Sequence, residues 1–330
     1  MRSRAGSSLL GVGAIILAAG LVGAGCGGDD ESALTGESAA PDAAAFPDPA
    51  GRTLEQIAAD EGVESDLVVA PAGQVFQKGQ NRLGFGVFTV ERVAVADAEI
   101  AIYAAPPNKP AVGPFPASVE SLDVGAAFRS RSTAADPDAA KVVYGSDVDF
   151  DGKGEWRLLA LVKQPDGSFT YTAAPSAVVG RFPKVPQPGE KAPVIETLTG
   201  DDVGGDLVKI DTRQPPSTMH EDNFAEVVGK EPIVLLFATP ALCSSRVCGP
   251  VVDIAEEVKS ERGDEAAFIM QEIYKDNMVD KGLREQVEAY NLPSEPWLFV
   301  IDTDGKISTA VEGAFSKGEL EAALDQVTAG

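Results

Sequence analysis

Cysteine, histidine and basic residues are scarce in this chain. Its 330 residues include three cysteines and one histidine, so few of the groups that bind zinc or copper are present. Lysine and arginine number 27 against 51 acidic residues, and the formal net charge is -24. Such a surface repels nucleic acid, so we expect no nucleic-acid partner. Hydrophobic residues make up 44% of the chain, which is enough for the cores of about two or three domains.

The chain begins with two arginines and an apolar run, in MRSRAGSSLLGVGAIILAAGLVGAGC. This order predicts a secretory signal peptide over residues 1–25, because the run is shorter than the about 20 apolar residues of a membrane-spanning helix. The small residues before Cys26 resemble the signal of a bacterial lipoprotein, although Gly23 stands where leucine is usual. The resemblance implies that Cys26 carries lipid and that the mature chain is extracytoplasmic, anchored to the cell membrane. An ordinary secreted protein and an uncleaved anchor are the alternatives.

Two stretches of the N-terminal half differ sharply in composition. Residues 26–50 are mostly glycine, alanine, proline, serine and acid, which predicts a flexible tether. After one short helix in RTLEQIAADEGV, residues 51–180 contain short β-branched and aromatic runs separated by turn residues. The runs are RLGFGVFTV, EIAIYAA, KVVYGSDVDF, EWRLLALV and SFTYTAA. Short strands at this spacing predict an all-β, immunoglobulin-like sandwich, and it holds neither cysteine nor histidine.

Residues 181–200, RFPKVPQPGEKAPVIETLTG, predict a stiff proline-rich linker and a domain boundary. Beyond it, residues 201–330 alternate between apolar runs and helical periodicity. The predicted strands are DLVKIDT, PIVLLFAT, EAAFIMQEIY and a hairpin in WLFVIDTDGKISTAV. The predicted helices are HEDNFAEVVGK, GPVVDIAEEVKSE, GLREQVEAYN and SKGELEAALDQV, the last with a capping box from Ser316 to Glu319.

This order resembles the α/β thioredoxin-like fold over roughly residues 190 to 328. The marks of the resemblance are LLFATPALC, Pro296 in SEPWLFVID, and DTDGKI followed by Gly313. The family implies a cis peptide bond before Pro296, close to an active cysteine. It also implies thiol–disulfide exchange with protein thiols or disulfides, and no bound organic cofactor or metal.

The candidate catalytic residues are Cys243, Cys248 and Pro296. Cys243 matches the family position of the nucleophile, where a strand gives way to a helix whose N–H groups stabilise a thiolate. Arg246 lies in the same turn and adds positive charge, and Cys248 is the predicted resolving thiol. In one regular helix their Cα atoms would lie roughly 8.7 Å apart, whereas a disulfide tolerates about 7 Å. A bond therefore requires Cys243 to lie in a loop, or the first helical turn to unwind.

Three other interpretations stay open. The C-x4-C-G spacing resembles one group of peroxiredoxins, but Pro240 stands where that group has threonine. In an oxidising compartment the bond could be purely structural, in a non-catalytic surface module whose sandwich binds a partner. A metal role for the single histidine, His220, is the third, although we expect this residue to be exposed at the start of a helix.

Overall fold

The structure, a computed structural model, describes residues 37–329. The predicted signal peptide and Cys26 lie outside the described residues, as does the first part of the predicted tether. Among residues 37–329, none of the helices is long enough and apolar enough to span a bilayer.

The N-terminal domain is built mainly of strands. Its strands are β1 (Gly62–Glu64), β2 (Leu67–Pro71), β3 (Gly79–Thr89), β4 (Glu99–Ala105), β5 (Val112–Ser121), β6 (Val142–Phe150), β7 (Gly154–Lys163) and β8 (Phe169–Val179). Its helices are α1 (Leu54–Glu61) and the short α2 (Arg131–Ala135). Helix α1 begins with a capping box in which Thr53 and Gln56 bond each other's backbone N–H groups.

These strands form a sandwich because β5 belongs to both layers. The strand order is β1-β8-β7-β4-β5-β6-β3-β2, with the start of β5 paired to β4 and its end paired to β6. The two layers enclose one apolar core that contains Phe85, Tyr144, Phe150 and Trp156. Helix α1 covers the outer face of β4 and β7, which explains why EIAIYAA is buried along nearly all its length. The all-β prediction is confirmed at this level.

Three strands were not predicted from the sequence: β1, β2 and β5. Strand β5 reads VGPFPASVES and contains Pro114 and Pro116, which normally argue against a strand. The prolines lie in the part of β5 that pairs with β4, just before the strand passes to the other layer; Pro116 is opposite Ala101. A strand that changes layers needs fewer ladder hydrogen bonds at the crossing point, so proline is tolerated there.

The C-terminal domain has a four-stranded sheet with helices on both faces. Its helices are α3 (Phe224–Val227), α4 (Cys248–Arg262), α5 (Glu285–Ala289) and α6 (Lys317–Thr328), and its strands are β9 (Ile233–Ala238), β10 (Ala267–Glu272), β11 (Trp297–Ile301) and β12 (Ile307–Glu312). The strand order is β10-β9-β11-β12, with β10 parallel to β9 and the other pairs antiparallel. This is the thioredoxin-like arrangement that the resemblance implies. Helices α4 and α6 pack on one face of the sheet, and α3 and α5 lie on the other.

Three predicted elements of this domain differ in the structure. The segment DLVKIDT is not a strand, because Leu207–Lys209 forms one 3-10 turn and the carboxylate of Asp211 accepts the N–H groups of Arg213 and Ser217. The segment HEDNFAEVVGK is helical only over α3, and GLREQVEAYN only over α5. Side-chain bonds to the backbone compete with regular structure in these segments.

The two proline-rich stretches lie against the sheets. Among residues 181–200, Val185, Ala192 and Ile195 are buried in the core of the α/β domain. The N–H of Ala192 donates to Gly305 O at 3.0 Å, in the turn between β11 and β12. Of the predicted tether, residues 37–50 contact the sandwich through a Ser38–Val119 bridge and the buried ring of Phe46. These contacts were not expected from composition.

Candidate redox site

The two cysteines lie at the end of the central strand of the α/β domain. Strand β9 ends at Ala238, and residues 239–247 form a loop before α4. The loop is held by backbone bonds: Ala241 N–H donates to Thr212 Oγ1 at 3.1 Å, and Ala140 N–H donates to Arg246 O at 3.1 Å. Arg246 has a φ of 61°, so the chain turns sharply just before the helix. The loop shape therefore depends on contacts with distant parts of the chain.

Cys243 and Cys248 form a disulfide with a Cα–Cα distance of 5.9 Å. That separation is within the normal range, whereas two positions five apart in one helix would be too distant. Cys243 lies in the loop and Cys248 is the first residue of α4, which confirms the geometric condition stated from the sequence.

The two sulfur atoms have different surroundings. Cys248 is fully buried, within the apolar cluster that includes Val251 and Val252. Cys243 is 8% exposed and lines a cavity of about 400 Å³, with its Sγ 3.1 Å from Ser245 Oγ. An incoming thiol therefore meets Cys243 first.

The positive end of helix α4 lies at Cys248. Free N–H groups and partial positive charge occur at the start of α4, which is Cys248 and not Cys243. Arg246 donates to Asp136 Oδ2 at 2.7 Å, so its charge is shared with a carboxylate of the N-terminal domain. The predicted helix GPVVDIAEEVKSE begins at Gly249, one residue after the observed start of α4, so the residues between Cys243 and this helix form a loop.

Pro296 stands directly before β11, and the Glu295–Pro296 peptide bond is cis, as the resemblance implies. A second cavity, of about 580 Å³, is lined by Ser244 and Ser245 of the cysteine loop and by Ser294 and Glu295 of the proline loop. The two loops therefore share a cavity wall. Burial raises the pKa of the Glu295 carboxyl, although a hydrogen bond from Tyr274 opposes the shift.

A buried carboxyl group that was not predicted lies beside the cysteine loop. Glu272 ends β10 opposite Ala238, and it accepts the N–H groups of Thr212 at 3.1 Å and Ile273 at 3.0 Å. Burial raises its pKa. The signal in the sequence was an acid inside the apolar run AFIMQEIY.

His220 is buried, which corrects the expectation of an exposed histidine. Its Nε2 lies 3.1 Å from Asp211 Oδ2, and the cap of α3 is Asn223 instead. Burial alone would raise the pKa of Asp211. The hydrogen bond with His220 and the N–H groups that donate to Asp211 lower this pKa overall. Among residues 37–329, no three histidine, cysteine or acidic side chains are grouped to bind a metal ion.

The N-terminal domain supplies one wall of the cavity at Cys243. The connection between β5 and β6 carries α2, and residues 132–139, except Ala134, face Pro240, Cys243 and Arg246 across the cavity. Asp253 of α4 holds this connection: its Oδ2 accepts the Ser130 N–H at 3.0 Å. The sequence signal for Asp253 is its position in VVDIA, where an acid stands between two apolar residues of a buried helix face.

Asp253 also forms a buried ion pair. Arg213 Nε donates to Asp253 Oδ1 at 2.8 Å, and Arg213 Nη2 donates to Phe128 O at 2.6 Å. The arginine therefore joins helix α4 to the same connection of the N-terminal domain. Its location was not predicted, because the partners are far apart in the chain.

The chain is similar to known proteins in structure and not in sequence family. No family model matches the chain, and no curated protein matches it. Several solved structures are similar to parts of it, and two of them cover different domains. One is described as a thiol:disulfide interchange protein of the thioredoxin family from Chlorobium tepidum TLS, with 18% identity over 43% of this chain and 97% of that chain, and a TM-score of 0.30. The other is the Lin-41 filamin domain, with 10% identity over 37% of this chain and 99% of that chain, and a TM-score of 0.21. With scores this low, the fold is assigned from strand order alone.

Proposed function

We propose that this protein is an exported, lipid-anchored thiol–disulfide oxidoreductase in which Cys243 and Cys248 alternate between disulfide and dithiol. The observation that carries the proposal is the disulfide itself. It joins a sulfur that faces a cavity to a buried sulfur at the start of a helix.

The chemistry follows from the two environments. A thiolate of the partner attacks Cys243, and Cys248 is the leaving group. The start of α4 stabilises the Cys248 thiolate as it forms, because N–H groups and the positive end of the helix dipole lie there. A leaving group with a lower pKa departs faster, so the helix helps the reaction at Cys248. In the reverse direction, Cys243 attacks the partner disulfide and Cys248 resolves the mixed disulfide.

The location and the partners are proposals from the sequence. A lipid on Cys26 would hold the protein at the outer face of the cell membrane, where protein thiols and disulfides are its partners. Mass spectrometry of the N-terminal peptide tests this point: we expect a lipid-modified Cys26 and no residue before it. An unmodified peptide that spans Cys26 would remove the anchor from the proposal.

We also propose that the N-terminal sandwich is immunoglobulin-like. Support comes from the order β2-β3-β6-β5 in one layer and β4-β7-β8 in the other, which is the order of a constant-type immunoglobulin domain. In such a frame, β5 and β6 are joined across one edge, and here that connection extends to the cavity beside Cys243.

The test of the enzyme function is a redox titration of the purified protein. Free thiols are counted in glutathione buffers of increasing reducing strength, under native conditions. We expect two thiols to appear at a potential within the range of catalytic dithiols. Cys248→Ser should then trap a mixed disulfide on Cys243, whereas Cys243→Ser should trap none.

One observation favours a second candidate, the non-catalytic surface module with a structural disulfide. Both sulfur atoms are nearly or fully buried, and the β5–β6 connection lies over them. In that case the bond stays intact in all glutathione buffers. A thiol peroxidase has less support, since Thr239 is fully buried and Pro240 cannot donate a hydrogen bond to peroxide.

A further inference from the structure

We propose that Cys243 is reached through the cavity that the two domains form together, and that its partner presents a slender thiol or disulfide without net negative charge. This inference rests on the proposed function and gives its site a substrate class. The shared chemistry is a sulfur on a narrow, neutral or cationic group. A small molecule and an extended peptide segment are the two possible sources.

The cavity at Cys243 has the size of a small-molecule site. Its volume is about 400 Å³, which is in the range of small-molecule sites, about 300–1,000 Å³. A folded partner surface normally buries about 800 Å² on each side, which cannot fit between these walls. The attacking sulfur must therefore be carried by a group that enters the cavity alone.

The walls of this cavity are fixed by contacts between the two domains. Helix α4 and the β5–β6 connection are joined at the buried carboxylate of Asp253, and the loop before α4 is joined to the same connection by the more exposed ion pair of Arg246 with Asp136. They also touch directly, because a Cβ added at Gly249 would lie 2.7 Å from Thr133 Oγ1. Widening the cavity would require breaking buried polar contacts, so its size limits what can enter.

The lining of the cavity carries a net negative charge. Within residues 37–329, three charged residues line the cavity, and they are Asp136, Asp138 and Arg246. Two carboxylates and one guanidinium give a net charge of about -1, and the formal charge of the whole chain has the same sign. An anionic thiol is repelled twice, by the chain as a whole and by the lining, whereas a cationic thiol is attracted.

The disulfide is reduced in two exchange steps. A thiolate attacks Cys243 Sγ and forms a mixed disulfide, and the electron pair of the broken S–S bond goes to Cys248, which takes up a proton. A second thiolate attacks the mixed disulfide and releases Cys243 as a thiolate, which is also protonated. In sum, two thiols are oxidised to one disulfide while the protein disulfide gains two electrons and two protons.

The charge is tested with three two-carbon thiols of similar size: cysteamine, 2-mercaptoethanol and mercaptoacetate. The full oxidised protein is mixed with each, and the rate of thiol appearance is divided by the thiolate concentration. We expect the cationic thiol to react about fivefold or more faster than the anionic one at low salt. In Asp136→Asn/Asp138→Asn this ratio should fall at least about twofold, while Glu155→Gln, an exposed charge outside the cavity, should leave it unchanged.

The route is tested with a matched pair of substitutions. Ala135 is exposed and lines the cavity, whereas its neighbour Ala134 is exposed and does not line it. Ala135→Trp should fill the cavity and slow reduction by 2-mercaptoethanol about tenfold, and Ala134→Trp should leave the rate as in the wild type. A short neutral peptide with one cysteine, used in the same assay, shows whether an extended segment enters as well as a small thiol does.

The outcomes separate the two proposals. If none of these thiols reduces the native wild-type protein, the proposed function is wrong and this inference falls with it. If reduction is fast but Ala135→Trp has no effect, the sulfur is reached by another route and only this inference is wrong. A folded protein disulfide that reacts faster than every slender probe would also overturn it.

Discussion

The two domains use their connecting segments in different ways. In the sandwich, the longest connection between strands, residues 122–141, leaves its own domain and packs against α4. In the α/β domain, the connection between β9 and α4 stays at the end of the sheet and carries Cys243, and Cys248 follows it as the first residue of α4. One domain supplies the sulfur atoms and the other supplies the wall that faces them. The difference shows that the cavity at Cys243 needs both domains, although both sulfur atoms come from one.

The contacts that join the domains are of two kinds. Near the cysteines they are buried and made by charged side chains, since Asp253 accepts the Ser130 N–H at 3.0 Å and Arg213 donates to Phe128 O at 2.6 Å. On the far side they are more exposed: Glu312 accepts the N–H groups of Gln74 at 2.8 Å and Val75 at 2.7 Å, and Arg82 forms a partly exposed ion pair with Glu319. We expect the first kind to determine stability most strongly, because an unpaired buried charge costs more than a lost hydrogen bond.

The largest expected effect is that of Asp253→Ala. It leaves Arg213 without its buried partner and Ser130 N–H without an acceptor, which should lower the free energy of unfolding by about 3–5 kcal/mol. Urea unfolding at pH 7 measures this loss. Asp264→Ala, which removes an exposed acid of the same domain, should change the value by less than about 0.5 kcal/mol.

The same variant tests whether the two domains must be joined to cover the cysteines. In Asp253→Ala the β5–β6 connection loses its anchor, so native reduction of the disulfide by a small thiol should become faster. A loss of less than about 1 kcal/mol, with an unchanged reduction rate, would mean that this contact does not hold the wall in place.

A second prediction concerns the close approach of the domains at Gly313. This residue has a φ of 84°, and a Cβ added to it would lie 2.2 Å from Ala72 O of the sandwich. Gly313→Ala should therefore cost about 3 kcal/mol, part from the left-handed backbone and part from displacement of Ala72. Gly204→Ala is the matched control, because Gly204 has a φ of 65° but open space around it. Its cost should be about 1 kcal/mol, and equal costs for the two variants would show that the domains separate easily.

Much of this architecture was predictable because local patterns determine it. Strands β4 and β7 are continuous apolar runs, and α6 is marked by its capping box, so both kinds of element were expected where they occur. Strand β5 was not expected, since the prolines at positions 114 and 116 are acceptable only where a strand passes between layers. That condition is tertiary, and a local pattern does not contain it.

The site shows the same division. Cys243, Cys248 and the cis bond before Pro296 were predicted from motifs of a few residues. The wall at residues 132–139 was not, because it depends on how two domains pack. The burial of His220 was not predicted either, because it depends on a contact with Asp211. That residue lies in DLVKIDT, a segment that the sequence predicts as a strand.

A third, smaller effect is expected from the disulfide. The closed loop is short, with a sequence separation of 5, so the bond removes little entropy from the unfolded chain. Reduction should lower the free energy of unfolding by about 2 kcal/mol. Urea unfolding with and without dithiothreitol measures this loss. The variant Cys243→Ser/Cys248→Ser should have the same free energy of unfolding in both conditions. A loss far larger than this would favour a structural bond over a redox-active one.

The smallest effect is a change in pH dependence at Glu312. Burial raises the pKa of this carboxyl above its usual value of 4.5, although Ser294 and the N–H groups of Gln74 and Val75 oppose the shift. Between the unfolded and the folded pKa the native state binds more protons, so this group's contribution is complete below about pH 4.5 and is lost as the pH rises. Glu312→Gln carries no charge and keeps acceptor and donor atoms for the same partners.

The wild type and Glu312→Gln should therefore differ little in stability at pH 4.5, and the variant should gain relative to the wild type as the pH rises to 7. Urea midpoints at the two pH values measure this change, and Glu155→Gln, an exposed acid of the sandwich, is the control for simple loss of charge. A variant that loses stability relative to the wild type at pH 7 would show that the ionised Glu312 is favoured in the folded protein. The backbone N–H groups of the sandwich would then hold the two domains together by attracting its charge, and this contact would resemble the charged one at Asp253.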